Sequence, residues 1–337
     1  MIQAGILGAT GYAGAELVRL ISGHPDAEAA AAGSLRHEGE PLDKIFPAYY
    51  EQCGLICENQ NTVIEKSDVV FAALPSGLSQ GIAKQCVDAG KVFIDMGADF
   101  RLERYGGRFE DRSLHEKAVY GLPELFREKI RGAKLIANPG CYATAVPLAL
   151  APALMAGLIL PEGIIADCAS GVTGAGRKPT QGTHFAELEG SMAPYKAGCH
   201  RHTPEMEQTL RAVCGKEVKI TFVPHLLPVS RGILATCYAK LAPGADMREV
   251  RKAYEEACGG EFFLRLLPEG SVANLKNVRY SNFCDISLHE DQHSGTLIAV
   301  AAIDNMGKGA AGQAVQNMNL AFGLEETAGL TAMPPAF

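Results

Sequence analysis

Positive charge is in short supply. Across 337 residues, 31 lysines and arginines face 38 aspartates and glutamates, for a net charge of −7 and a pI near 5.8. That balance argues against nucleic acid or an anionic membrane as the main partner. It leaves room for an anionic metabolite held by a local cluster of arginines. The opening Met1-Ile2-Gln3-Ala4-Gly5-Ile6-Leu7-Gly8 lacks the basic segment and the long apolar stretch of a secretory signal, which points to the cytoplasm. The ten cysteines follow no disulfide framework, so free thiols in a reducing compartment are expected. Cys53 and Cys57 have the spacing of a metal pair, but no second pair accompanies them and both read as structural. An unbroken membrane span is missing too. The apolar run 143–160 is interrupted by Pro147, Pro152 and Gly157 and fits a core helix better.

Hydrophobic residues at 47% and charged residues at 20% suffice for sizeable cores, and the length suggests two domains. Residues 2–7 read as a buried strand, followed at once by Gly8-Ala9-Thr10-Gly11-Tyr12-Ala13-Gly14 and then by apolar residues at helical spacing. Strand, glycine turn and helix form a dinucleotide fingerprint: glycines let the backbone approach a pyrophosphate, and the helix N-terminus supplies N–H groups. Gly8, Thr10, Gly11, Tyr12, Ala13 and Gly14 are therefore candidate cofactor contacts. A second strand, 27–32, ends in Gly33-Ser34-Leu35-Arg36, with no carboxylate to hold a ribose hydroxyl. Ser34 and Arg36 favour NADP(H), whose 2′-phosphate an arginine accommodates.

Residues 37–66 read as mixed and polar, mostly loop. Strands follow at 69–74, stopped by Pro75-Ser76-Gly77, and at 92–95, leading into Gly97-Ala98-Asp99-Phe100-Arg101-Leu102. Lys134 to Ala137 is a further strand. Buried strands alternating with helices predict an α/β, Rossmann-type doubly wound sheet with ligands at the carboxyl ends of the strands. Ser76 and Arg101 lie at such ends, and so does Cys141, in Asn138-Pro139-Gly140-Cys141-Tyr142. A thiol in the first turn of a helix meets free N–H groups and the positive end of the helix dipole, which favours the thiolate.

After about residue 145 the texture becomes that of an α+β mixed-sheet catalytic and dimerisation domain. Its glycine-rich loop Ser170-Gly171-Val172-Thr173-Gly174-Ala175-Gly176-Arg177 is fit to wrap an anion. The domains are expected at 1–145 and 146–307, with a helix in 308–337 returning to the first. His289-Glu290-Asp291-Gln292-His293 matches the HExxH zinc motif in letters, but that motif works only on a helix. Here strand-like residues flank it with Ser294-Gly295 as turn, so a hairpin and no metal site are expected.

A nucleotide domain followed by a cysteine at the junction with a mixed-sheet domain resembles the aspartate-semialdehyde dehydrogenase architecture. The segments GATGYAG, ADFRL at 98–102, NPGCYAT at 138–144, SGVTGAGR at 170–177, HRHTPEMEQ at 200–208, HLLPVSRGIL at 225–234 and DNMGKGAAGQAVQNMN at 304–319 resemble the N-acetyl-γ-glutamyl-phosphate reductase family. Serine is often found in that family where this chain has Thr173, and histidine where it has Ser76. The resemblance implies NADPH-dependent reduction of an acyl phosphate to an aldehyde, and a homo-oligomer, dimer or tetramer. Cys141 would be the nucleophile, Arg101 the phosphate contact, Asn138 a second oxyanion donor and Arg231 a carboxylate contact. Ser76, Gly171, Gly174 and Asn305 would line the cofactor. Of two histidines in the matched HRHTPE, His200 is the expected acid/base and His202 a substrate-orienting partner. An aminoadipyl- or aspartyl-phosphate reductase remains an alternative, as does a non-catalytic NADP-sensing protein.

Overall fold

Val69-Val70-Phe71-Ala72 is buried at every position and forms a central strand of the first of two sheets in the computed structural model, which describes residues 1–102 and 111–336. The chain divides into two units: Met1–Pro139 with Ala310–Thr331, and Gly140–Gly309 with the chain end from Ala332.

In the first unit the strands are β1 (Ile2–Leu7), β2 (Ala27–Gly33), β3 (Cys57–Glu58), β4 (Val69–Ala72), β5 (Val92–Asp95), β6 (Val119–Tyr120) and β7 (Leu135–Ala137). They lie in the order β3-β2-β1-β4-β5-β7-β6, with every pairing parallel. The order turns back at β1 and β4, which makes their carboxyl ends the crevice in such a sheet. The stretch 37–66 is more structured than its polarity suggests. It holds a short helix Leu42–Ile45, β3, and a helix Gln60–Glu65 whose Thr62 N–H bonds the Asn59 side chain at 3.1 Å. Val63 and Ile64 are the buried pair there, too few to show a period in the sequence.

The final helix, Gly312–Phe322, belongs to this unit and is buried from Gly312 to Leu320 although it is rich in amides. The amides of Gln316 and Asn317 have specific partners. Asn317 Nδ2 donates to Gly121 O at 2.9 Å and to Asn138 Oδ1 at 3.0 Å, and Gln316 Nε2 reaches Glu124 and Glu326. Buried polar groups satisfied in this way fix register as well as position.

The second unit carries β8 (Ile164–Gly171), β9 (Ala193–Pro194), β10 (Ile220–Leu227), β11 (Ile233–Lys240), β12 (Leu264–Leu266), β13 (Cys284–Asp291) and β14 (Thr296–Ile303). Their order is β12-β13-β14-β11-β8-β10-β9, and the sheet is mixed: β8 with β10 and β12 with β13 are parallel, the rest antiparallel. Along β11, Ile233, Ala235, Cys237 and Ala239 are buried, and the residues between them are only partly so. On the half-open face, Ile165, Tyr238, Ile298 and His289 form one cross-strand row. The helix Cys141–Met155 packs on β11 and β14 and is buried from Tyr142 to Leu154. HEDQH spans the end of β13 and the turn after it, so its histidines do not share a helical face. Among the described residues no helix is long and apolar enough to cross a membrane.

Candidate active site

Cys141 opens the helix Cys141–Met155 and is partly exposed, with Gly140 in the cap position at φ −70, ψ 152. That backbone suits any residue, so the glycine has another cause. A Cβ at position 140 would lie 2.4 Å from His202 Nε2 and 2.6 Å from His202 Cε1. The missing side chain is what lets the imidazole come up against the residue before the thiol. On the other side, a Cβ at Gly309 would lie 2.9 Å from Cys141 Cβ.

The turn before the thiol is pinned from the histidine motif itself. Glu205, only 2% exposed, accepts the Gly140 N–H at 2.9 Å. Thr144 Oγ1 donates to Gly140 O at 3.1 Å, closing the first helical turn. Glu205 reads in the sequence as an ordinary acidic residue in the first turn of Thr203–Cys214. Its long-range partner is visible only in the fold.

His200 and His202 are both buried, with ring centroids 4.8 Å apart. His200 sits in an aromatic box of Tyr142, Tyr195 and Phe222, at centroid distances of 5.7, 5.7 and 5.3 Å. Tyr195 donates its hydroxyl to Tyr142 at 3.1 Å. Burial pushes Tyr195 up to about 12 and raises Tyr142 as well, so both keep their protons. His200 Nδ1 accepts the His202 backbone N–H at 3.1 Å, which leaves the proton of the neutral ring on Nε2. Burial, and then the charges of Lys196 and Arg201, push His200 down to about 4. Near neutral pH it is an uncharged donor.

The glycine-rich loop after β8 is held by backbone and amide contacts. A Cβ on Gly171 would lie 2.8 Å from both Arg231 N and Ser230 O. Asn305 accepts the Gly232 N–H at 2.7 Å and donates to Thr173 Oγ1 at 3.0 Å. Its visible work is to clamp the two loops together, and Gly174 lies against it, a Cβ there being 3.5 Å from Asn305 Nδ2. Arg231 Nε bonds both oxygens of the fully buried Asp304, at 3.0 and 2.9 Å, and its guanidinium lies 4.6 Å from the Tyr280 ring centroid.

In the first unit, Gly8 stands at φ +82, and a Cβ there would meet Ala73 O at 2.3 Å. A Cβ on Gly14 would meet Gly8 O at 2.2 Å, so the turn between β1 and the helix Tyr12–Ser22 is closed tightly by glycines. Thr10 and Ser34 share a hydrogen bond of 3.1 Å between the ends of β1 and β2. Gly11 and Ala13 are half-buried, while Tyr12, Arg36 and Ser76 are exposed. The turn is thus bare backbone, two hydroxyls join the strand ends, Arg36 is exposed two residues beyond Ser34 and no carboxylate stands at 33–36, residue types that could hold a dinucleotide with a 2′-phosphate. Arg101, 6% exposed, donates to Met96 O at 2.8 Å. Asn138 is buried beside the final helix. Its Nδ2 donates to Ala310 O at 3.1 Å and its Oδ1 accepts from Asn317, so its amide ties β7 to the final helix.

The chain is similar along its whole length to known proteins. Residues 3–133 match the model of the semialdehyde dehydrogenase NAD binding domain, and 141–305 that of the semialdehyde dehydrogenase dimerisation domain. The N-acetyl-gamma-glutamyl-phosphate reductase of Clostridium botulinum is 48% identical, and that of Brachyspira hyodysenteriae 46%, each over 100% of both chains. Among solved structures, aspartate semialdehyde dehydrogenase II of Vibrio cholerae superposes with a TM-score of 0.74 at 19% identity, covering 96% of this chain and 98% of that one. The Candida albicans aspartate semialdehyde dehydrogenase with NADP gives 0.73 at 18% identity, covering 95% and 99%.

Proposed function

The chain belongs to the N-acetyl-gamma-glutamyl-phosphate reductase family, and from that premise we propose that it reduces N-acetylglutamyl 5-phosphate with NADPH, releasing N-acetylglutamate 5-semialdehyde and phosphate. The observation that carries this is the cysteine at a helix start, beside a glycine whose absent side chain admits an imidazole nitrogen.

The Cys141 thiolate attacks the acyl carbon, the bond to phosphate breaks, and a thioester forms. Oxygen charge that develops in this step is stabilised by the backbone N–H at the helix start, Cys141's own. The Gly8–Gly14 turn would hold NADPH, which would supply a hydride to the thioester carbon. Collapse of the resulting thiohemiacetal returns the thiolate and releases the aldehyde, with a proton exchanged at the oxygen.

The sequence alone suggests His200 for the proton and His202 for orientation. Physical chemistry favours the exchange. His200 has its Nδ1 lone pair committed and stays neutral, which suits a fixed donor to substrate. His202, whose Nε2 lies against Gly140, is the better proton carrier. Arg101 would take the phosphate and Arg231 the substrate carboxylate, as bidentate guanidinium partners. Asn305 and Gly171 would shape the cofactor's surroundings through the loops they hold.

We also read the chain as a cytoplasmic homo-oligomer, dimer or tetramer. The segment matched by the dimerisation-domain model contains the half-open sheet face with its row Ile165, Tyr238 and Ile298. The deciding experiment is the reverse assay: phosphate-dependent reduction of NADP with N-acetylglutamate semialdehyde, aspartate semialdehyde and the aminoadipate homologue side by side. Preference for either of the last two would reassign the substrate. No turnover with any would favour a non-catalytic nucleotide-binding role.

A further inference from the structure

Two buried carboxylates at the end of β5 do work that the mechanism above does not use. Asp95 and Asp99 are 0% and 4% exposed. Asp99 Oδ1 accepts the Gly77 N–H at 2.6 Å, and its Oδ2 accepts the Ser79 N–H at 2.9 Å. Gly77 stands at φ +94, a conformation that side chains rarely adopt, so the turn after β4 is a shaped loop with its N–H groups aimed at one carboxylate. Asp95 in turn accepts the Ser79 hydroxyl at 2.8 Å, the Gly97 N–H at 2.9 Å and the Asp99 N–H at 3.2 Å.

The loop that follows β5 is fitted to that carboxylate. A Cβ on Gly97 would lie 2.9 Å from Asp95 Oδ1, so the chain passes over it only as glycine. One residue earlier, the Met96 carbonyl accepts Arg101 Nη2 at 2.8 Å. A continuous set of hydrogen bonds therefore runs from the Ser76–Gly77 turn through Ser79, Asp99 and Asp95 to the loop that carries Arg101. Burial pushes the Asp95 carboxyl up, and the Ser79 hydroxyl and Gly97 N–H that it accepts oppose that rise, so the brace stands on the geometry of these bonds.

We propose that Asp99 is a positioning residue that locks the Ser76 turn and the Arg101 loop into one arrangement, so that the cofactor site and the phosphate site are set together. The inference rests on the reading of the Ser76 turn as a cofactor contact and of Arg101 as the phosphate contact. Asp99→Asn is nearly isosteric, but its amide nitrogen cannot accept, so one of the two backbone N–H groups loses its partner.

The test uses the full-length protein. Asp99→Asn is expected to raise the NADPH Kd, read by nucleotide fluorescence, and the KM for inorganic phosphate in the reverse assay, each about tenfold. The kcat at saturation and the iodoacetamide labelling rate of Cys141 without ligands stay within about twofold, since the thiol's own surroundings are untouched. Ser79→Ala, which keeps the N–H and removes the hydroxyl, shifts both constants the same way by about threefold, and it decides the matter if Asp99→Asn does not fold. Gly77→Ala strains the turn directly and separates the two readings. If it weakens NADPH binding while Asp99→Asn and Ser79→Ala do not, the brace is refuted and the cofactor assignment stands. If all three leave NADPH binding unchanged, the cofactor assignment fails and the inference with it. A change in only one of the two constants refutes the coupling. A lowered Tm with both constants unchanged reduces Asp99 to a structural role.

Discussion

Gly140→Ala offers a clean perturbation of the proposed chemistry, because the backbone there accommodates alanine and the three atoms nearest the new Cβ all belong to His202. The new Cβ would sit 2.4 Å from His202 Nε2. Non-bonded carbon and nitrogen prefer about 3.5 Å, so the ring must retreat by about 1 Å. Overpacking of that kind costs about 1–3 kcal/mol, offset by about 0.4–1 kcal/mol from the stiffer unfolded chain. The net loss of stability is thus small, on the order of 1 kcal/mol, and the protein folds. Displacing a catalytic group by about 1 Å costs about 10²-fold in rate. The expected signature is therefore a kcat for the reverse reaction about 100-fold down, with a Tm lowered by only a few degrees. Gly54→Ala is the matched control, since nothing lies within 4 Å of a Cβ there. A Gly140→Ala enzyme with kcat within about twofold of the parent would refute the argument that His202 acts from this position.

Cys141→Ser should abolish turnover while leaving NADPH binding intact, as measured by nucleotide fluorescence, because the hydroxyl is a far poorer nucleophile near neutral pH. Iodoacetamide should label Cys141 fastest among the thiols, with substrate protection, as read by peptide mass spectrometry. Arg36→Ala should weaken NADPH binding about tenfold and NADH binding little, since only the former carries the 2′-phosphate; equal losses would mean that Arg36 supports the fold alone. Stability should also depend on pH through His200. Its folded pKa of about 4 lies below the ordinary value of about 6.5, so the unfolded chain takes up the proton first as pH falls. The chemical denaturation midpoint of the parent should therefore fall between about pH 6.5 and 4 more steeply than that of His200→Asn.

How far this was legible in the sequence depends on length and locality. β4 is a continuous apolar run, and β1, β2 and β5 are nearly so, interrupted by Gln3, Glu28 and Asp95, as strands of a covered parallel sheet tend to be, and they stand out. β3 and β6 are only two residues long and carry no period to detect. The glycine turn and Cys141 were readable because each is a local pattern with a local cause. Glu205 and Asp99 were not, since their partners lie 65 and 20–22 residues away. The choice between His200 and His202 was equally hidden. Spacing puts both on one side, and only the bond to His200 Nδ1 and the clearance at Gly140 tell them apart.

The helix that begins at Cys141 has no polar side from Tyr142 to Leu154, and it contains Pro147 and Pro152. Short helices are marginal in water by themselves, and one with two interior prolines and no wet face has no reason to form before something covers it. Its cover comes from later in the chain: β11, β14, the helices Thr203–Cys214 and Met247–Cys258, and Tyr254, whose hydroxyl donates to Ala149 O. The helix start on which the proposed chemistry relies therefore comes into being only when the second unit has assembled as far as β14. Before that point the same cysteine is an ordinary thiol, only a few per cent ionised near neutral pH. Alkylation speed at this one atom thereby becomes a gauge of whether a distant strand has docked, usable on a crude refolding mixture without any substrate.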